Sequence, residues 1–302
     1  MRTTLGVIIV SYRSRSVLGP CLDSLAACRE RVPHEIVIVD NDSRDGTVEW
    51  LRSEYPEVHT IANPHNHGFA SAVNQGAAAS AADHLLLLNP DSLVDADGLE
   101  RLLAVVSQDE RCGVAAPRLL DDDGRPARSC GRFPNLWTLA CEHLGFARAF
   151  PNHAWFSGYK YAGVPLDRLD EVAWASGAAL LVPRRAWTDV GGLDDGFFMY
   201  MEEVDWCRRA RARGWRVRYV PTATFTHTGQ HASKGSGGRT YLHNLRSRVR
   251  YFRKHHGVVA AGVAKGILIL SLVLKWVSSR LGAHGEESSS VYARGLEAVW
   301  AA

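Results

Sequence analysis

The chain has few cysteines, and none stands in a spacing typical of a metal site or a redox pair. Six cysteines occur in 302 residues, without a CxxC pair and without the Cys/His spacing of zinc-binding domains. Several lie in apolar stretches, which predicts reduced side chains in a hydrophobic core. We therefore expect neither a structural zinc site nor a catalytic cysteine pair.

The chain also lacks the features of a secretory signal peptide and of extensive disorder. No basic segment or cleavage site precedes the apolar run LGVIIVSY, which begins at Leu5. The composition is ordinary for a globular protein, with 46% hydrophobic and 22% charged residues. These features predict a folded protein in the cytoplasm.

Charge of one sign is not in large excess, since the formal net charge is +3, but its distribution is uneven. Residues 239–256 contain six Arg or Lys and no acid, which favours contact with lipid head groups or with a diphosphate ligand. Residues 258–277 are apolar except for Lys265 and Lys275, and the nine residues between these lysines are too few to cross a bilayer. We expect residues 239–281 to lie on an anionic membrane surface, with a core helix, a dimer-forming helix and a spanning helix as alternatives.

The first half of the chain alternates strand-like and helix-like segments, which indicates a parallel sheet covered by helices. Strands are predicted over residues 5–11, 35–40, 58–62 and 84–88, and helices over residues 18–31, 45–54 and 68–82. In such sheets ligands bind beyond the carboxyl ends of the strands. Polar segments follow three of these ends: Ser11-Tyr12, Asp40-Asn41-Asp42 and Asn89-Pro90-Asp91.

The tripeptide Asn89-Pro90-Asp91 follows four consecutive leucines. Proline cannot continue a central strand, so the chain turns there and leaves Asp91 at the edge of the sheet. A carboxylate in that place is suited to a divalent cation, which would clamp a diphosphate. The alternative is an ordinary turn at the end of a strand, where these residue types are common.

The second half contains an irregular segment and an acidic cluster. Residues 121–172 are rich in Pro, Gly and aromatics without periodicity, which is typical of a lid or a binding loop. A strand-like run follows over residues 172–182, and a basic helix is predicted over residues 207–213. Between them lies FFMYMEEVDW, whose acids could serve as a general base or could stabilise a helix dipole.

Seven blocks of this sequence resemble family 2 glycosyltransferases, which have the GT-A fold. IIVSY, VIVDNDSRDGT, NHGFASAVNQG and LLLLNPD resemble the nucleotide-binding half of that family. WASGAALLVPRRAW, VGGLDDGFFMYMEEVDWCRRARARGW and HNLRSRVRYFRKHHG are similar to its bacterial rhamnosyltransferase branch. The resemblance covers residues 5–257. It implies an α/β fold of GT-A type, with a Rossmann-like mixed sheet flanked by helices.

The resemblance also implies a domain organisation. Residues 1–257 would form the glycosyltransferase domain, with a nucleotide-binding half over residues 1–120. The acceptor-binding half would cover residues 121–257 and contain the irregular insertion at 121–172. Residues 258–302 would form an apolar, helical, membrane-associating extension.

Roles for individual residues follow from the resemblance, position by position. The metal, Mn²⁺ or Mg²⁺, would be held by Asp91 and His227, because Asn89 replaces the first acid of the family's metal-binding tripeptide. Glu203 would be the general base, with Glu202 and Asp205 as the other candidates. The residues implied to bind the nucleotide sugar are Ser11, Tyr12, Asp40, Asp42, Asn66, Gly68, Asn89 and Asp91. Those implied to bind the acceptor are Trp174, Ser176, Gly177 and Arg208.

The implied function is an inverting, metal-dependent transfer of L-rhamnose from dTDP-rhamnose at the inner face of a bacterial membrane. The acceptor would be a hydroxyl of a glycan or of a polyprenyl-diphosphate-linked sugar in cell-surface polysaccharide synthesis. Transfer of a hexose or an N-acetylhexosamine from UDP is the nearest alternative. A nucleic-acid partner is not expected, and a homodimer is left open.

Two alternatives belong to other classes of protein. A sugar-phosphate nucleotidyltransferase would carry a phosphate loop rich in Gly and Lys after the first strand, where this chain has SYRSRSVL. A non-catalytic binding module is disfavoured by the acids that the chain retains, at Asp91 and in the cluster from Glu202 to Asp205.

Overall fold

A computed structural model describes residues 5–161, 164–229, 238–280 and 286–302, with the side chains of 286–289 left out. Leu281, the last residue of the predicted membrane segment, lies outside the described residues. The strands are β1 (Leu5–Ser11), β2 (His34–Asp40), β3 (His59–Ala62), β4 (His84–Leu88), β5 (Ser92–Leu93), β6 (Cys112–Leu120), β7 (Pro126–Ala127), β8 (Cys130–Gly131), β9 (Trp174–Ala175), β10 (Ala179–Pro183) and β11 (Arg216–His227).

Helices alternate with these strands and dominate the C-terminal part. The helices are α1 (Arg15–Cys28), α2 (Thr47–Glu54), α3 (Phe69–Ala79), α4 (Ala96–Gln108), α5 (Leu136–His143), α6 (Phe146–Ala149), α7 (Ala154–Ser157), α8 (Arg184–Val190), α9 (Glu202–Ala212), α10 (Arg239–Ser278) and α11 (Glu286–Trp300). Two short 3₁₀ helices cover Gly158–Lys160 and Leu166–Arg168.

Nine strands form one mixed sheet, in the order β3-β2-β1-β4-β10-β6-β11-β5, with β7 paired to β6. The first four strands of this order are mutually parallel. The alternation in the first half therefore predicted this part of the sheet correctly. Strand β10 is antiparallel to both of its neighbours, which makes the whole sheet mixed. Strands β8 and β9 form a separate two-stranded sheet.

Helices cover the sheet on both faces, because successive side chains of each buried strand point to opposite sides. Leu5, Val7 and Ile9 belong to the core that α1, α2 and α4 complete. Ile8 and Val39 face the other way, towards α3. All seven residues of β1 are buried, which is why its sequence is a continuous apolar run.

Most predicted elements are found close to their predicted bounds, with differences in the second half. Strands β1 and β4 begin and end as predicted. The basic helix begins at Glu202 rather than Cys207, so the acids lie within its first turn. The strand-like run over residues 172–182 is divided into β9 and β10, because the chain turns at Gly177-Ala178. All six cysteines are buried and form no disulfide in the described part of the chain.

The chain divides into two compact units. Unit 1 contains Met1–Gly131, Val164–Phe198 and Glu202–His231, and so includes the whole mixed sheet. Unit 2 contains Arg132–Gly163, Met199–Met201 and Ala232–Ala302. The functional domain boundary expected at residue 257 stays a prediction.

Unit 2 is built around the long helix α10, which packs against α5 and α11. Gly257 interrupts α10 with a left-handed φ of 85° and ψ of 175°, so residues 239–256 and 258–278 are two helical segments. Arg248 forms an ion pair of 2.9 Å with Glu142 of α5. By length and composition, α10 is the one helix of the described residues that could cross a membrane.

Candidate active site

The predicted polar residues meet at the carboxyl edge of the parallel strands. Strands β1 and β2 run in register so that Ser11 is opposite Asp40. The backbone N–H of Asn41 then donates to the carbonyl of Ser11 over 2.8 Å, which joins the two strand ends. This is the edge at which ligands bind in open α/β sheets.

Two of the predicted nucleotide-binding side chains are used inside the protein. The hydroxyl of Ser11 is fully buried and lies 2.9 Å from the hydroxyl of Ser14. The carboxylate of Asp40 accepts hydrogen bonds from the backbone N–H and the hydroxyl of Ser43. Both residues therefore shape the loops that follow β1 and β2.

Two others are accessible to a ligand. Tyr12 is 40% exposed. Asp42 is partly exposed, has a left-handed backbone with φ of 69°, and pairs with Arg44 over 2.7 Å. A surface depression nearby is lined by Arg13, Arg15, Ser16, Asp45 and Trp50. Their sequence pattern alone did not indicate a role for these five residues.

Asn41 stands in the polar segment Asp40-Asn41-Asp42, but the sequence indicated no role for it alone. Its buried amide nitrogen donates to Asn66 Oδ1 and to the carbonyl of Gly68, each over 3.0 Å. Its oxygen accepts from the amide of Asn63 and from the backbone of His67, each over 3.1 Å. Asn41 thus positions the loop that carries the predicted donor residues at 66 and 68.

Gly68 is required at its position for backbone reasons. Its φ is +86°, and a Cβ there would lie 2.6 Å from the carbonyl oxygen of Phe198. The next amide, of Phe69, donates to that same oxygen over 2.7 Å. The loop that carries Asn66 and Gly68, which we call the donor loop, is therefore in direct backbone contact with the segment before the acidic cluster.

The Asn-Pro-Asp turn and His227 lie next to each other in the structure. Strand β5 pairs with the end of β11, so that His227 is opposite Ser92. His227 Nε2 lies 3.2 Å from Asp91 Oδ1 and 3.3 Å from the amide nitrogen of Asn89. Asp91 is only 6% exposed. The sequence placed these residues 136 positions apart, and antiparallel pairing of β5 with β11 brings them into contact.

Their spacing suits a shared divalent cation. Adjacent ligands of an octahedral ion are about 3 Å apart when each bond is about 2.1 Å long. The distance between Asp91 Oδ1 and His227 Nε2 matches that value. Among the described residues, no three His, Cys, Asp or Glu side chains form a complete metal-binding group. An ion at Asp91 and His227 would therefore need further oxygen ligands from a diphosphate or from water.

The acids of α9 occupy different environments. Glu202 is buried, and its Oε2 has no hydrogen-bond partner among the described residues. Burial, and then the charge of Glu203, raise the pKa of Glu202 well above its usual value. Glu203 is half-buried on the same first turn.

Asp205 is held by an ion pair instead. It is fully buried, and Arg209 Nε donates to its Oδ2 over 2.8 Å. Arg209 also donates to the carbonyls of Val190 and Gly192 over 2.9 and 2.7 Å. Asp205 therefore fixes the start of the loop that leads from α8 into α9.

Asn74 of α3 anchors that loop a second time. Its amide oxygen accepts from the backbone N–H of Leu193 over 2.9 Å, and its nitrogen donates to the carbonyl of Leu193 over 2.8 Å. Asn74 belongs to the block NHGFASAVNQG, but the sequence alone indicated no role for it. Only the fold reveals its partner, since Leu193 is 119 residues away.

The predicted acceptor residues differ in position. A Cβ added to Gly177 would lie 3.8 Å from Glu203 Cβ and 3.9 Å from the ring of Phe69. The carbonyl of the next residue, Ala178, accepts a hydrogen bond of 2.9 Å from the backbone N–H of Asn89. Gly177 is therefore where the donor loop, the Asn-Pro-Asp turn and α9 approach one another.

The other three predicted acceptor residues surround this point less closely. Trp174 is buried in β9, as expected if it fills core. The amide of Ser176 donates to the carbonyl of Ser129 over 2.7 Å. Arg208 is half-buried on α9.

Fold and site together define a glycosyltransferase of the GT-A type. The chain matches the description "Glycosyl transferase family 2" over residues 6–163, which is more than half of its length. The chain belongs to this family.

Relatives and solved structures agree with this assignment. The chain is 33% identical to an N-acetylglucosaminyl-diphospho-decaprenol L-rhamnosyltransferase of Mycobacterium tuberculosis, over 77% of this chain and 78% of that protein. It is 24% identical to rhamnosyltransferase WbbL of Escherichia coli, over 82% and 92% of the two chains. Among solved structures, a mannosyltransferase of Pyrobaculum calidifontis in complex with GDP-Man and Mn²⁺ has a TM-score of 0.58 at 15% identity. That alignment covers 100% of this chain and 87% of the other.

Proposed function

We propose that this glycosyltransferase moves L-rhamnose from dTDP-rhamnose to an acceptor hydroxyl with inversion at the anomeric carbon. Two contacts carry the proposal: the Asn-Pro-Asp turn, whose Asp91 pairs with His227, is hydrogen-bonded to Ala178, and the neighbouring Gly177 lies next to Glu203. This arrangement supports a diphosphate site that would lie near a carboxylate able to accept a proton.

The donor side would bind a divalent metal, Mn²⁺ or Mg²⁺, through Asp91 and His227. Their 3.2 Å spacing and the buried position of Asp91 fit this role. When bound, the ion supplies positive charge to the diphosphate that leaves. Tyr12 and Asp42, the accessible residues of the edge, would contact the base or ribose. Asn41 and Asp40 would hold the loops in place.

Glu203 would act as the general base. In a single displacement the acceptor oxygen attacks the anomeric carbon while the bond from that carbon to the diphosphate oxygen breaks. The acceptor proton passes to the Glu203 carboxylate, and the nucleotide diphosphate leaves. Gly177 lies next to the aliphatic part of the Glu203 side chain.

The choice of rhamnose and of the acceptor is supported by the relatives. Two of them are named rhamnosyltransferases, and the name of one specifies an N-acetylglucosaminyl-diphospho-decaprenol acceptor. A sugar linked to a polyprenyl diphosphate is therefore the proposed acceptor. Such a substrate resides in a membrane, and the apolar helix α10 supports a peripheral location at the cytoplasmic face.

A donor screen tests the proposal. The purified full chain is incubated with Mn²⁺ or Mg²⁺, an N-acetylglucosaminyl-diphospho-lipid with a short tail, and a panel of dTDP- and UDP-sugars. Release of nucleotide diphosphate that depends on acceptor should be fastest with dTDP-rhamnose. The anomeric proton of the product, observed by NMR, should show the configuration opposite to that of the donor.

The screen can also contradict the proposal in separable ways. Turnover of a UDP-hexose or a UDP-N-acetylhexosamine, with none of dTDP-rhamnose, would reject the donor but retain the transferase. Retention of configuration would reject the single displacement. The control is Glu49→Gln, which removes an exposed carboxylate of α2 and should change neither result.

A further inference from the structure

The second segment of α10 exposes its apolar face. Residues 258–278 bury Ala261, Ala264, Leu268 and Leu272 within unit 2. Larger apolar side chains on the opposite side are 38% to 78% exposed. We call them the apolar stripe, which consists of Val258, Val259, Val263, Leu270, Val273, Leu274 and Val277. Their separations of three, four and seven residues keep them on one side of the helix.

Cations accompany the apolar stripe. Residues 239–280 contain nine Arg or Lys and no Asp or Glu. Arg246, Arg250, Arg253 and Lys254 are exposed on the helical segment that ends just before the stripe begins. A large exposed apolar surface marks a contact with a membrane or a protein, and adjacent cations favour anionic lipid.

We propose that the apolar stripe is the face by which α10 lies in the interfacial layer of an anionic lipid bilayer. The exposed cations of residues 239–256 would contact the lipid phosphates at the same surface. This inference rests on the proposed membrane location, but it depends neither on the donor sugar nor on the chemistry of transfer.

A spanning helix disagrees with the contacts on the other side of this segment. Ser271 Oγ donates to the carbonyl of His143 over 2.7 Å, and Lys265 Nζ donates to the carbonyl of Trp300 over 3.3 Å. Lys275 Nζ lies 3.4 Å from the hydroxyl of Tyr241. These contacts hold one side of the segment on the rest of unit 2. Crossing a bilayer would surround the whole helix with lipid and break them.

A homodimer through the same face is disfavoured by charge. A two-fold dimer would apply the apolar stripe of one copy to that of the other, and with the two helices parallel it would also bring the preceding segments close. Both segments carry exposed arginines, and neither contains an acid to compensate them. An anionic bilayer instead supplies the opposite charge.

Vesicle flotation of the full chain tests the proposal. The vesicles contain phosphatidylcholine alone or phosphatidylcholine with phosphatidylglycerol. The test variants are Val263→Thr/Val273→Thr/Val277→Thr, which keeps side-chain shape, and Arg250→Gln/Arg253→Gln. The matched charge control is Arg52→Gln/Arg111→Gln, which changes exposed arginines of unit 1.

We expect wild type and control to float with anionic vesicles and to be released by salt. The threonine variant should partition about tenfold or more weakly, and the glutamine variant should lose the preference for anionic vesicles. Sedimentation of the free protein and extraction of membranes with alkaline carbonate complete the test. Absence of flotation, a dimer that the threonine variant abolishes, or resistance to carbonate would each overturn the proposal.

The activity assay keeps this inference separate from the proposed function. Turnover with a short-tailed, water-soluble acceptor should be within about twofold of wild type in all these variants, because no changed residue belongs to the site. Loss of flotation with full turnover supports the membrane-binding face. Flotation without turnover of any nucleotide sugar would reject the proposed function and leave the face in place.

Discussion

Unit 1 contains two sets of carboxylates in contrasting environments: Asp91, and the pair Glu202-Glu203 at the start of α9. Asp91 has His227 and Asn89 next to it, so its surroundings are polar and suit a cation. Glu202 has a buried oxygen without a hydrogen-bond partner among the described residues, and its neighbour Glu203 has the same charge. In the proposed function, Asp91 would bind a cation together with its polar neighbours. Glu203, the proposed proton acceptor, lies next to a carboxyl group whose burial makes charge costly.

The segments that support Asp91 also differ from those that support the acids of α9. The edge of the sheet that carries Asp91 consists of the ends of the parallel strands and the hydrogen bonds of Asn41. These segments lie within the first 93 residues, and His227 joins them through the pairing of β11 with β5. The acids of α9 instead depend on a loop that Asn74 and Arg209 hold from two sides. Damage to one group should therefore leave the function of the other measurable.

Glu203→Gln should produce the largest effect. Removal of the general base should lower kcat by about a hundredfold to ten-thousandfold. The amide has nearly the same shape, so folding should be unchanged. The measurement is acceptor-dependent release of nucleotide diphosphate, with Glu49→Gln as control. Full activity of this variant would mean that Glu202 or Asp205, and not Glu203, acts as the general base.

Asp91→Asn should produce the next largest effect, on metal dependence. Loss of the carboxylate should raise the metal concentration for half-maximal activity by about tenfold or more, since an amide is a weaker ligand for a hard cation. A titration with Mn²⁺ at saturating donor measures it. Asp123→Asn changes an exposed acid and should behave as wild type. An unchanged metal dependence would remove Asp91 from the metal site.

Asn74→Ala should weaken the support of the acidic group. It removes both hydrogen bonds to the backbone of Leu193, which predicts a loss of about 1 to 3 kcal/mol in the free energy of unfolding. Urea denaturation measures this loss. Turnover should fall, while donor binding should not. A stability equal to wild type would show that the loop holds without Asn74.

Glu202→Gln should have the smallest effect, seen only in the pH dependence of stability. Because the folded pKa of Glu202 is raised above 4.5, the folded state keeps a proton that the unfolded state loses. Stability therefore falls as pH rises from the unfolded pKa to the folded pKa. Thermal midpoints between about pH 5 and pH 8 should fall more steeply in wild type than in the variant. Equal slopes would contradict a neutral Glu202.

Local pattern predicted the first half of the fold well. Strand β1 is a continuous apolar run because both faces are covered, and β4 ends where Pro90 stops it. The turn at residues 89–91 followed from the same logic. The resemblance to the family supplied His227, whose role local chemistry alone did not fix.

Long-range contacts account for what the sequence did not show. Nothing local indicates that β10 inserts antiparallel between β4 and β6, because its five residues are simply apolar and buried. Gly68 was expected to border the nucleotide, but its backbone contact with Phe198 appears only in the fold. The burial of Ser11 and Asp40 likewise depends on Ser14 and Ser43, through hydrogen bonds that residue type alone does not predict.

Calorimetry of donor binding compares the two carboxylate groups directly. Wild type, Asp91→Asn and Glu203→Gln are titrated with dTDP-rhamnose, or with the donor that turns over fastest, in the presence of Mn²⁺. If Asp91 binds the metal and Glu203 is the general base, Glu203→Gln should bind the donor like wild type, and Asp91→Asn should bind it about tenfold or more weakly. Normal binding in Asp91→Asn together with lost binding in Glu203→Gln would contradict it.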